Sequence, residues 1–88
     1  MMDEFEVRRR LELGSSAKRV LDDEFVMALL DDMEDALTTA WKEYETTVDA
    51  RENCYYRVQG IRSLRSNIVS LAKDGDIAAE DLTREFPS

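Results

Sequence analysis

The 88 residues carry 12 basic and 20 acidic side chains, a formal charge of −8, with no histidine, one cysteine, one proline and three glycines. A chain of this size predicts one small domain with a marginal core, and a lone cysteine excludes an intrachain disulfide or a thiolate zinc site. Histidine, the commonest general base and transition-metal ligand, is missing, while 43% hydrophobic content is too apolar for a typical disordered chain.

The segment from Met1 to Arg8 has no apolar core behind a basic run, so no secretory signal is expected. No stretch approaches the roughly 18 apolar residues of a membrane span. A single Cys54 suits synthesis in a reducing cytoplasm. Asp3 to Leu13 predicts a short helix anchored by Phe5, Val7 and Leu11 and ended by Gly14. Ser15 or Ser16 then caps a single turn, Ala17 to Leu21, that folds back on the helical hairpin expected C-terminal to it.

Helical spacing is plain from Val26 onward. Val26, Leu30, Met33, Leu37, Ala40 and Tyr44 recur in steps of three and four, and Phe25, Leu29, Ala36 and Trp41 widen the stripe. Asp22 or Asp23 supplies the N-cap oxygen. The pattern predicts a helix over about 23–45, roughly 33 Å long. A second begins near Thr47 or Asp49, where Glu52 stands three residues after Asp49 in a variant of the capping box. Its apolar line is Tyr55, Val58, Ile61, Leu64, Ile68 and Leu71, and Lys73-Asp74-Gly75 reads as a stop with Gly75 in the left-handed region. The link from Glu45 to Val48 is short enough to force the two helices antiparallel.

The expected fold is therefore all-α: an antiparallel helical hairpin, about 23–45 and 48–73, with short N-terminal helical segments. One further short amphipathic turn, marked by Ile77, Leu82 and Phe86, ends at Pro87. This divides the chain into an N-terminal extension (1–15), a hairpin core (16–75) and an acidic tail (76–88). Gly60 falls inside the second helix and admits two readings: a close helix crossing that receives Trp41 or Phe25, or a tolerated glycine on the solvent side.

Charge is unevenly distributed. Residues 22–45 carry nine acids and one base, whereas residues 50–73 carry five bases and one acid. The acids Asp31, Asp32, Glu34 and Asp35 and the bases Arg57, Arg62 and Arg65 are the candidate protein-interaction residues. Two helices of opposite sign attract, and a hairpin cannot cover both of its own apolar stripes. Self-association or a protein partner is expected. The acidic balance argues against nucleic acid and an anionic membrane face as partners. DNA binding in packaging would require Arg57, Arg62 and Arg65 to overcome that repulsion.

Catalytic motifs are weak. Asp31-Asp32-Met33-Glu34-Asp35 has DDxxD spacing, but 88 residues are too few for the second acidic cluster and large cavity a diphosphate–magnesium site needs. Lys73-Asp74-Gly75-Asp76 lacks the ligand pattern of a calcium loop. No phosphate-binding glycine loop, nucleophile elbow or dinucleotide fingerprint occurs. Arg8-Arg9-Arg10 is a small footprint among Glu4, Glu6 and Glu12. Trp41, Tyr44, Tyr55 and Tyr56 are expected to pack the open end of the helix pair. No enzymatic activity, cofactor, metal or small-molecule substrate is expected.

One larger pattern carries a resemblance. The order Ser16-Ala17-x-x-Val20-Leu21-Asp22-Asp23-x-Phe25-x-x-Ala28-Leu29, then Ala40-Trp41 with a threonine-containing turn, then Asp49-x-Arg51-Glu52-x-x-Tyr55, resembles small helical proteins of tailed phages and prophages. The likeness covers about residues 16–75 and departs at Asp23, where a proline often stands. Such proteins are typically encoded near head-morphogenesis and packaging genes. The resemblance implies a phage setting and supplies no catalytic residues. The expectation is a non-enzymatic virion or head-assembly protein, made in the host cytoplasm and incorporated in the virion, that oligomerises or docks on a larger phage structural protein. The alternative is a small acidic effector that binds and inhibits a host protein, with Asp31, Asp32, Glu34 and Asp35 mimicking nucleic-acid phosphates.

Overall fold

A computed structural model describes residues 3–43 and 47–87, which form three helices: α1 (Glu4–Leu21), α2 (Glu24–Glu43) and α3 (Val48–Glu85). Among the described residues there is no strand, and the fold is all-α. α1 and α2 lie end to end and both run antiparallel to α3. The order of the ion pairs fixes this arrangement: Arg10 meets Asp74 in α3, whereas Asp31 and Glu34 meet Arg65 and Arg62 further back along it. The 18 residues of α1 and 20 of α2 together match the 38 of α3. The result is a slab of 62 × 28 × 13 Å, about one helix thick.

The break between α1 and α2 is local chemistry. The Asp23 carboxylate accepts hydrogen bonds from the Phe25 and Val26 amides at 3.0 and 3.1 Å, satisfying donors that open α2. Asp22 closes α1 by donating its amide to the Lys18 carbonyl. At the other start signal, Thr47 accepts from the Ala50 amide at 3.3 Å and opens α3. Asp23 and Thr47 are each one of the two caps that the sequence offers at their helix start. Tyr44 and the first half of the expected link, residues 45 and 46, lie outside the described residues.

Two glycines depart from the sequence reading. Gly14 does not end a helix, and α1 continues through it and through Ser15 and Ser16 to Leu21. Gly75 is not a left-handed stop: no glycine has positive φ, and α3 runs through it to Glu85. The separate N-terminal turn and C-terminal turn therefore become parts of α1 and α3, and both expected boundaries, at 15/16 and 75/76, fall inside helices. The physical reason is that the two glycines meet. An ideal Cβ on Gly14 would lie 3.0 Å from both the Gly75 nitrogen and the Leu71 carbonyl oxygen. Ala17, Ala72 and Ala78 are buried along the same seam, so two backbones approach where larger side chains would hold them apart. Packing along this seam offsets the helix-propensity cost of each glycine, about 1 kcal/mol.

The core is correspondingly thin. Its buried apolar members are Val7 and Ala17 in α1, Leu30 in α2, and Val58, Ile61, Ala72 and Ala78 in α3. Leu30 is thus the single such residue of α2 among the described residues.

Candidate protein-interaction surface

The α2/α3 pair has two faces with different chemistry. On one face, ions join the helices. Arg62 Nε donates to Glu34 Oε1 at 2.7 Å, Arg65 pairs with Asp31, and Arg65 Nε lies 3.8 Å from Glu34 Oε2. Four of the seven expected interaction residues are therefore bound to one another within the chain. Asp32 and Asp35 stay exposed on the outer side of α2 and, like Arg57, form no ion pair among the described residues. Asp31, Asp32, Glu34 and Asp35 do not present one continuous acidic face, because helical spacing turns Asp31 and Glu34 toward α3.

Near the end of the pair on that same face, Trp41 and Thr38 oppose Cys54, Tyr55, Gln59 and Arg62 around a cleft of about 150 Å³. Trp41 and Tyr55 border this cleft half-exposed, and Tyr56 packs its ring edge-on to Tyr55 at 5.6 Å while remaining exposed itself.

The opposite face is apolar. Met33, Ala36 and Leu37 of α2 and Arg57, Gly60, Ile61 and Leu64 of α3 line an open groove of about 480 Å³. Four-residue steps carry the α2 edge back from Met33 through Leu29 to Phe25, and a seven-residue step carries the α3 edge from Leu64 to Leu71. Phe25 is 74% exposed, and Leu29, Met33, Leu64 and Leu71 range from 41 to 49%. Gly60 lies in this groove with nothing within 4 Å of an added Cβ. It is the solvent-side glycine of the two sequence readings, and the close crossing belongs to Gly14 and Gly75 instead.

A folded chain of 10.2 kDa exposes about 5,300 Å² on the usual scaling with mass. This one exposes 6817 Å², an excess of about 1,500 Å². The excess follows from a single layer of helices, which leaves each helix open on both faces.

The α1/α3 half holds an ionic cluster that sequence reasoning missed. Arg10 reaches Asp74 through two hydrogen bonds, Nε to Oδ2 at 3.0 Å and Nη2 to Oδ1 at 2.8 Å, and its Nη1 lies 3.7 Å from Asp81 Oδ2. Asp81 is buried and also accepts from Arg84 Nη2 at 2.6 Å. The Arg10 hydrogen bond holds the Asp74 carboxyl below the usual carboxylate range against a smaller opposing effect of desolvation, and Asp74 raises Arg10 in turn. Arg10 is thus a structural cation, and Arg8 is engaged by Glu4 at 3.2 Å, which dismantles the Arg8-Arg9-Arg10 footprint. The signal for this cluster, an arginine one turn before Gly14 and acids around Gly75, becomes readable only once the two glycines are placed together.

Among the described residues no group of histidine, cysteine, aspartate and glutamate side chains is arranged to hold a metal ion, and no helix is long and apolar enough to cross a membrane. The fold and this surface define a one-layer, three-helix protein with an uncovered apolar face. Protein-family models, curated proteins and solved structures contain no match to the chain.

Proposed function

We propose that this chain is a non-enzymatic assembly protein of a phage virion or head, acting through its helices by self-association or by docking on a larger phage structural protein. The observation that carries the reading is the apolar α2/α3 face, exposed from Phe25 to Leu71 in a chain with about 1,500 Å² of surplus surface. Contiguous exposed apolar faces mark protein contacts. The phage setting rests on the sequence resemblance over residues 16–75.

The acidic-effector reading draws less support, because Asp31 and Glu34 are occupied by Arg65 and Arg62 and leave Asp32 and Asp35 to act alone. The direct test is light scattering over a range of concentrations, alone and with capsid or portal proteins, together with a search for the chain in purified virions. Association in either setting is the expected result. A strictly monomeric chain that is absent from virions overturns the reading.

A further inference from the structure

We propose that the groove between α2 and α3 seats a second copy of this chain, related by a two-fold axis running along the helices, so that α2 of each copy lies over α3 of the other. The inference rests on the assembly reading above and names its first partner. Three observations lead to it.

The first is area. The surplus surface of about 1,500 Å² exceeds the roughly 800 Å² that each partner contributes to a standard protein interface. An interface of standard size therefore fits within the surface that the single layer of helices leaves uncovered.

The second is shape. Gly60 and Ala36 are small residues of the groove lining, beside the larger Met33 and Leu64. Open space above Gly60 lets a neighbouring helix approach closely, as α1 already does at Gly75.

Charge is the third, and it selects the axis. Asp31 and Glu34 are already paired with Arg65 and Arg62 on the opposite face, which leaves α2 with Glu24, Asp32 and Asp35 against Lys42, and α3 with Arg57 set at the groove itself. A two-fold perpendicular to the helices would stack α2 on α2, acid over acid. A two-fold along them places the net-acidic α2 of one copy over α3 of the other, beside its Arg57, and keeps all neighbours antiparallel, as in a four-helix bundle. Arg57, unpaired among the described residues and set at the groove, then faces the side of the partner that carries net negative charge.

Spin-label distances and one substitution test this. In a Cys54→Ser background, labels are placed one at a time at Ala28→Cys, Asp35→Cys and Thr39→Cys, all sites on α2. An axis along the helices gives the same label-to-label distance at all three sites. A perpendicular axis makes the distances unequal, because separation along the helix then changes by about 3 Å for each residue moved. Separately, Gly60→Glu has room in the single chain, so helicity by circular dichroism stays intact while dimerisation weakens more than about tenfold, the charge being buried against an acidic helix. Unequal distances, or a dimer indifferent to Gly60→Glu, overturn the inference. So does a monomer at every concentration. A monomer still found in virions would overturn this inference alone and leave the assembly reading standing.

Discussion

Gly14 and Gly75 face each other so closely that an ideal Cβ on Gly75 would stand 2.6 Å from the Gly14 Cα. Gly75→Ala and Gly14→Ala therefore force two helix backbones apart, and each is expected to destabilise the fold by about 1–3 kcal/mol in denaturant titration. Gly60→Ala meets no neighbour and gains about 1 kcal/mol of helix propensity, measured at concentrations dilute enough for the single chain. The same chemical change thus has opposite signs at the crossing and in the groove. Equal effects at all three sites would contradict the crossing.

The Arg10–Asp74 contact predicts an acid limb of stability. Asp74 has a folded-state pKa lower than in the unfolded chain, because Arg10 stabilises its charged form. The unfolded chain binds the proton first as pH falls. The contribution is therefore complete above the unfolded carboxylate pKa and is lost as pH drops through the folded one. Thermal melts of Asp74→Asn are expected to show a smaller loss of midpoint on acidification than the parent chain. Parallel curves would count against this pair as the origin.

The two halves of the molecule differ in how well they are held. α1 and the end of α3 share a close small-residue seam with Val7 and Ala78 fully enclosed, whereas α2 contributes Leu30 alone to the buried apolar set. Hydrogen exchange of the dilute chain is expected to be faster in α2 and in α3 before Ala72 than in α1 and in α3 beyond it. Rising concentration should protect α2 first, since association covers its face.

Leu30→Ala removes the one large buried apolar side chain of α2. A loss of about 2–3 kcal/mol is expected, near the lower end for such truncations because a one-layer core relaxes into solvent. Ion pairs on the opposite face are worth less. Double-mutant cycles on Arg62–Glu34 and Arg65–Asp31 are expected to give about 0.2–1 kcal/mol each, falling with added salt.

The helices around α2 are legible in the sequence because their signals are short-range. Apolar residues from Val26 to Leu37 recur at helical spacing, and Asp23 and Thr47 cap through side-chain oxygens that bind amides two or three residues on. The uncovered stripe is legible too, since Phe25 and Leu29 make it wider than one neighbouring helix can cover. The pairing of Arg62 and Arg65 with Glu34 and Asp31 is legible only as an attraction between segments, because the register that joins particular side chains depends on how the helices slide against each other.

Sequence alone determined that the chain is helical, where α2 and α3 begin, and that an acidic segment lies beside a basic one, since propensity, capping and charge act over a few residues. Tertiary structure decided whether Gly14 and Gly75 end helices or let them pass. Glycine permits both conformations, and the choice fell to the contact between two residues 61 positions apart. That contact makes α3 a single 38-residue helix, lays α1 and α2 along it in one layer, and leaves the apolar groove open.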